Sequence, residues 1–324
     1  MQNYSQNKKT AIISGCTGMD GSYLAEFLLT KGYKVIGITN GADPSKWDNI
    51  KHIREQIEWW YADVRNPRLI VEAIKAYQPD EYYNLAAQSF VASSWDKLQT
   101  TYDSNLYGAI NALQAIKEYA PDCRYYQAST SEMFGLVKES PQTEETNFHP
   151  RSPYGVSKLA AHWTTINYRE SYGLYACCGI LYNHESERRH EQFVTRKITK
   201  AVARISKGLQ DKLELGDITA KRDWGYAPEY VYGMWLMLQQ NKPEEYILAT
   251  GETHSVQEFV EKAFKEVNLN WQDYVVLDKQ LHRPAEVPVL QGNATKAKTQ
   301  LGWEAKTKFN DLIHIMVQHD LSLL

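Results

Sequence analysis

A short β-rich run, Thr10–Ser14, leads directly into Gly15-Cys16-Thr17-Gly18-Met19-Asp20-Gly21. A helical pattern through Leu24, Phe27 and Leu28 follows and stops at Gly32. Few folds accept glycines spaced G-x-x-G-x-x-G between a strand and a helix. The spacing allows a tight turn and close backbone approach to a pyrophosphate, whose charge meets the helix N-terminus. A glycine-rich turn alone is often only a turn; the strand before it and the helix after it point to a dinucleotide.

The next stretch of chain keeps the same rhythm. Strands are expected at 34–39, 58–62, 81–85, 124–128 and 175–181, with helices at 69–77, 99–118 and 154–172. Alternation of this kind builds βαβ units, so the expected fold is α/β, a Rossmann-type doubly wound parallel sheet. Candidates for holding the dinucleotide are Gly15, Thr17, Gly18, Met19, Asp20 and Gly21 in the turn and Asn40 after the second strand. Asp63 and Val64 follow the third strand, where Asp63 could accept a hydrogen bond from an adenine; Leu85, Ala86, Ala87 and Ser89 follow the fourth. Beyond Leu181 the rhythm changes. Residues 183–217 are densely charged around one helix, 230–239 is an apolar helix able to return to the sheet, and short elements fill the rest. The expected organisation is a dinucleotide-binding domain over 1–182, with 218–250 returning to it. A smaller, interleaved α/β substrate lobe is expected from 183–217 and 251–324.

Composition removes other classes. With 324 residues, 43% hydrophobic, the chain can bury a full core, and a net charge of −3 leaves no electrostatic footprint for nucleic acid or an anionic membrane. Residues 1–10 lack an apolar signal core, and 230–238 is too short to span a bilayer. The four cysteines, Cys16, Cys123, Cys177 and Cys178, form no CxxC pair and no metal-ligand spacing. They read as reduced thiols of a cytoplasmic protein without a metal site.

Two clusters carry chemistry. In Tyr154-Gly155-Val156-Ser157-Lys158, the tyrosine and lysine share one helix face, where an ammonium would favour the phenolate and bring its pKa toward neutrality. Upstream, the fifth strand ends in Ser129-Thr130-Ser131-Glu132. A reductase needs a hydroxyl there to hold the substrate oxygen, from Thr130 or Ser129, but it has no use for a carboxylate. Glu132 is therefore the informative residue, because a base beside the substrate can remove a proton adjacent to a newly formed ketone. The catalytic candidates are Thr130, Glu132, Tyr154 and Lys158.

Together with GxTGxDGSYLAEFLLxKGY, LAAQS, STSEMFG, PRSPYGVSKLAAHW, NHES, FVTRKI, AKRDWG, ATGETHS and RPAEV, these clusters resemble the GDP-mannose 4,6-dehydratases, extended short-chain dehydrogenases/reductases. The matches run from residue 11 to residue 303. The resemblance implies that NAD or NADP, tightly bound and recycled, takes a hydride from C4 of a GDP-hexose while Tyr154 accepts the hydroxyl proton. Lys158 would lower the tyrosine pKa and hold the nicotinamide ribose, and Thr130 would hold the C4 oxygen. Glu132 would remove the C5 proton as water leaves C6, and the hydride would return to C6. It also implies cofactor contacts for His184 and Arg189. Asn183, Lys197, Gly216, Arg222, Arg283 and Glu286 would join Ser89, Thr130 and Glu132 in the nucleotide-sugar site.

The sequence departs from the family at three places. Residues 39–46 lack the arginine-rich loop that holds the 2′-phosphate of NADP and joins subunits into a tetramer, so NAD is favoured. A homodimer built on the helices at 99–118 and 154–172 stands beside the homotetramer. Residues 187–192 read Glu-Arg-Arg-His-Glu-Gln where the family has Pro-Arg-Arg-Gly-Glu-Thr, which leaves GDP-N-acetylglucosamine or a GDP-manno-heptose open as the substrate. Third, Glu229 and Asp217 stand where Asp and Asn are usual, and the chain is somewhat short. An epimerase or 4-keto reductase would share Tyr154 and Lys158 and leave Glu132 idle; a dinucleotide-sensing scaffold would need none of the three.

Overall fold

The computed structural model describes residues 8–41, 44–281, 285 and 287–324. Its centre is a seven-stranded, fully parallel sheet in the order β11-β6-β5-β4-β1-β2-β3. The strands are β1 (Thr10–Ser14), β2 (Lys34–Thr39), β3 (Glu58–Tyr61), β4 (Glu81–Asn84), β5 (Arg124–Thr130), β6 (Ala176–Leu181) and β11 (Glu245–Leu248). Strands covered on both faces read as unbroken apolar runs, and β1 and β2 do. The middle strands use tyrosine instead: Tyr82, Tyr83, Tyr125 and Tyr126 are fully buried, with the Tyr82 and Tyr125 rings stacked 5.8 Å apart.

Helices α1 (Met19–Thr30) and α7 (Ala227–Leu238) pack on one face of the sheet. On the other lie α2 (Pro67–Tyr77), α3 (Leu98–Tyr102), α4 (Gly108–Tyr119) and α5 (Pro153–Tyr172). Local chemistry sets their ends. Asn66 accepts a hydrogen bond from the Arg68 N–H (3.1 Å) ahead of Pro67, and Ser152 accepts from the Gly155 N–H (3.0 Å) ahead of Pro153. The chain fills one side of the sheet from β1 to β3, then crosses to place β4 beside β1. This reversal opens a crevice at the carboxyl ends of β1 and β4, where doubly wound sheets bind ligands.

Two differences from the sequence reading matter. The helix expected at 99–118 is interrupted by a π-helical turn, Asp103–Tyr107, between α3 and α4. A seventh strand, β11, which the sequence did not single out, extends the sheet beside β6 and is clasped by the Arg169–Glu245 ion pair (2.6 Å).

A second hydrophobic core forms around α6 (Val194–Ser206), α8 (Val256–Lys265) and α9 (Phe309–Ser322), with Ile198, Val202, Phe259, Phe264, Leu312 and Met316 at its centre. Short strands edge it: β7 (Asn183–Glu185) pairs with β10 (Trp224–Tyr226), β8 (Leu213–Leu215) with β13 (Val275–Leu277), and β9 (Lys221–Arg222) with β12 (His254–Ser255). Glu229 accepts from the Lys306 and Thr307 N–H groups (3.1 and 3.0 Å), fixing the approach to α9.

Candidate functional site

The glycine turn is built for close approach. Gly15 has φ +73°, and a Cβ there would sit 2.9 Å from the Ala86 Cα; a Cβ on Gly21 would sit 2.3 Å from the Gly15 carbonyl oxygen. Gly18 caps α1 with no side chain of its own, so the helix N-terminus stays open to an anion. Ser14 ties the two sides of the crevice together: its hydroxyl donates to Asn84 Oδ1 (2.9 Å) and accepts from the Leu85 and Ala86 N–H groups (3.2 Å each). Asn49 donates to the Thr17 carbonyl (3.3 Å), and the Met19 side chain is buried in the core beneath the turn. These residues fit a dinucleotide diphosphate.

The adenine-end candidates are less open. Asn40 lies exposed just past β2. Both Asp63 carboxylate oxygens are engaged by the Arg65 guanidinium (2.9 and 2.6 Å), and Oδ1 also accepts from the Arg65 N–H (2.9 Å). The strand-end carboxylate read as an adenine acceptor is thus held by its neighbour two residues on. The Val64 side chain is buried against Gly108 and its carbonyl accepts from Asn111 (2.9 Å).

A cavity of about 650 Å³ extends from this crevice toward the second core. Its wall includes Asp20, Leu85, Ala87 and Ser89 from the sheet side, with Thr130, Glu132, Tyr154 and Lys158 at its floor. Asn183, His184, Arg189, Lys197, Gly216 and Arg222 face it from the other side. Gly15, Thr17, Gly18, Met19, Gly21, Asn40, Asp63, Val64 and Ala86 are not part of its wall. Arg283 and Glu286 lie outside the described residues, as do Ala42 and Asp43 of the 39–46 loop.

On the floor, Thr130 Oγ1 accepts from the Glu132 N–H (3.2 Å), capping the single turn that carries Glu132. Of the two candidate hydroxyls, Thr130 is the one that lies against the Tyr154 phenol and acts on its pKa; Ser129 Oγ instead meets His162 Nδ1 (2.9 Å). The expected lowering of the tyrosine pKa is not found. Burial pushes Tyr154 up to about 12, with the Glu132 charge adding to the rise and the Thr130 hydrogen bond opposing it. Burial brings Lys158 down to about 8, and its ammonium donates to the Ala128 carbonyl (3.0 Å) rather than to the phenol.

Across the cavity, His184 Nε2 pairs with Asp20 Oδ2 (2.9 Å), joining the glycine turn to β7. Arg189 makes a two-pronged bond to Glu185 (2.7 and 3.0 Å), and Arg222 donates to the Val287 carbonyl (2.7 Å). Lys197 lines the same wall and adds a cation to it.

Sequence reasoning missed Asn105, Ser157 and His162. Asn105 sits in the π-helical turn, accepts from the Gln88 N–H (2.8 Å), and donates to the Gln88 carbonyl (3.1 Å) and Ser157 Oγ (3.0 Å). It thereby fixes the 85–89 segment against α5. A polar residue inside a helical pattern was the only available signal. Among the described residues no helix is long and apolar enough to cross a membrane, and no cluster of His, Cys, Asp and Glu could hold a metal ion.

Residues 12–316 match the family model described as GDP-mannose 4,6 dehydratase. GDP-mannose 4,6 dehydratase 2 of Arabidopsis thaliana is 50% identical over 328 residues, covering 98% of this chain and 88% of that protein. The GDP-mannose 4,6 dehydratase of Dictyostelium discoideum is 45% identical, covering 99% and 98%. Among solved structures, the dTDP-glucose 4,6-dehydratase of Bacillus anthracis, in complex with NAD, superposes with a TM-score of 0.83 at 24% identity, covering 96% of each chain. That likeness speaks for the fold.

Proposed function

The chain belongs to the GDP-mannose 4,6-dehydratase family, and from that premise we propose that it converts GDP-mannose to GDP-4-keto-6-deoxymannose with loss of water. Bound across the glycine turn, a nicotinamide dinucleotide would supply the chemistry of accepting a hydride from C4 and returning it to C6. The protein does the rest. Tyr154 acts in this step as the phenolate and takes the C4 hydroxyl proton, Thr130 holds the C4 oxygen, and the Lys158 ammonium supplies positive charge that offsets the burial of the phenolate. Once C4 is a ketone, the Glu132 carboxylate takes the C5 proton. The C5–C6 double bond forms as the C6–oxygen bond breaks, Glu132 passes the proton it took to the departing hydroxide, which leaves as water, and C5 takes a solvent proton when the hydride comes back to C6.

The observation that carries this reading is Glu132 in the same cavity floor as Tyr154, close enough for its charge to raise the phenol pKa. Lys197 and Arg222 support a diphosphate on the opposite wall. We assign NAD rather than NADP, because 39–46 contains no arginine for a 2′-phosphate. We also assign a homodimer through α4 and α5, whose outer surface exposes Trp163 (55%) and Tyr172 (54%). The cytoplasm is the assigned compartment, consistent with four buried free thiols.

The purified protein, with the dinucleotide that co-purifies, should convert GDP-mannose to a 4-keto-6-deoxy product bearing one solvent deuterium at C5 in D2O. Glu132→Gln should keep the dinucleotide and lose the product. Product from GDP-N-acetylglucosamine or a GDP-manno-heptose alone would reassign the hexose, and an active Glu132→Gln would return the chain to the epimerases and reductases.

A further inference from the structure

Three side chains at i, i+4 and i+8 on one face of α5 reach three successive residues at the end of β5. Tyr154 lies against the Thr130 side chain, which acts to lower its pKa, Lys158 Nζ donates to the Ala128 carbonyl (3.0 Å), and His162 Nδ1 lies 2.9 Å from Ser129 Oγ. The first two have roles in the chemistry; His162 has none assigned. Its ring is only 2% exposed and sits edge-on to Phe148 and Trp163, with centroids 5.5 and 5.8 Å away.

We infer that His162 is a positioning residue for the dehydration, taking the Ser129 hydroxyl and so fixing the strand end from which Thr130 and Glu132 project. The inference rests on the dehydratase reading. The mechanical reason lies in the backbone. The β5–β6 register ends at Thr130 paired with Leu181, and beyond it Glu132 rides on a single 3-10 turn, Ser131–Met133. Among the described residues no further strand pairing holds that turn, and beyond the ladder the His149 N–H meets it at the Met133 carbonyl (3.1 Å), so slack at Ser129 would pass to the carboxylate that must meet C5. Burial brings the His162 pKa down to about 4, so near neutrality the imidazole is uncharged and one ring nitrogen is free to accept the hydroxyl proton. Nδ1 and the Ser129 hydroxyl therefore share one proton, donated by one to the other.

The test compares His162→Leu, His162→Asn and Ser129→Ala with the wild type on GDP-mannose, reading kcat, KM, bound dinucleotide and Tm. His162→Leu should lower kcat by about 10²-fold, the scale on which small misplacements of catalytic groups act, with KM and dinucleotide content unchanged. His162→Asn, whose side-chain oxygen can accept the same hydroxyl, should recover most of the rate. Ser129→Ala, which deletes one oxygen and leaves the packing, should match His162→Leu, and the double variant should be no worse than either. Full activity in Ser129→Ala, a loss carried by KM or dinucleotide content, or no recovery with asparagine would overturn the inference. Absence of product from the wild type would remove the dehydratase reading itself, and the inference with it.

Discussion

The Asp20–His184 pair shows how much of this site is decided by single groups. His184 Nδ1 faces the Tyr182 carbonyl (2.8 Å) and Nε2 faces Asp20 (2.9 Å), so both ring nitrogens meet acceptors and the imidazolium satisfies both. Burial works against that charge, yet Asp20 holds the His184 pKa above its ordinary value. Burial likewise works against the Asp20 carboxylate, but the His184 charge and hydrogen bond hold it below the usual range. The signs fix the pH window. A raised histidine contributes stability that is complete below its unfolded pKa of about 6.5 and lost as pH rises through the folded value; a depressed aspartate contributes stability that is lost as pH falls through its folded value. The Tm difference between wild type and Asp20→Asn should therefore be largest from about pH 4 to pH 6.5 and shrink toward pH 9. A difference that stays level across that range would show the pair to be uncharged. Both residues were legible as cofactor candidates, but their partnership was not. The link from α1 to β7 exists only after the sheet has brought the two together.

At the scale of elements, the glycine turn was readable because its constraint is local. Backbone–backbone approach within a few residues demands glycine whatever the rest of the chain does. Gly21→Ala tests this directly: its Cβ would meet the Gly15 carbonyl at 2.3 Å, and neither atom belongs to a flexible side chain. The protein should purify without its dinucleotide and with a lowered Tm; a variant that retains the dinucleotide stoichiometrically would mean the turn has room the geometry denies it. Elements defined by distant partners were the ones that escaped. The π-helical turn lies within an unbroken helical pattern, and its reason, Asn105 bonding Gln88 and Ser157, is tertiary. Strand β11 is four residues long, and what makes it a strand is the free edge of β6 together with the Arg169 clasp on Glu245. Local pattern carries neither fact. The Tyr154–Lys158 spacing was legible as a shared helix face, whereas the direction of the tyrosine pKa was not, because burial depth is a property of the assembled cavity.

For the whole molecule, the question is what holds the second core together beside the sheet, and a buried ion pair poses it sharply. Arg196 on α6 and Asp320 on α9 meet at 2.9 Å with side chains 7% and 2% exposed, and Thr199 donates to the other carboxylate oxygen (2.7 Å). Burial raises the Asp320 pKa and lowers that of Arg196 in spite of their attraction, so each charge resides there at a cost that its partner chiefly offsets. Such pairs add little net stability over an apolar replacement, yet removing one member leaves an orphaned charge in the core. Asp320→Asn should thus destabilise the protein by about 3–5 kcal/mol. The double variant Arg196→Met/Asp320→Leu should recover most of that loss, because α6 and α9 already pack through Val202, Ile313 and Val317 around the pair. Urea titration followed by tryptophan fluorescence reads both, since Trp224 lies in the same core and Trp303 in the core under α7. If the two tryptophan regions unfold together, the loss belongs to the whole chain; if Trp224 reports an earlier transition, the second core melts on its own. A double variant as unstable as Asp320→Asn would sink the orphaned-charge account and make the hydrogen bond from Thr199, rather than the guanidinium, the contact that fastens α9.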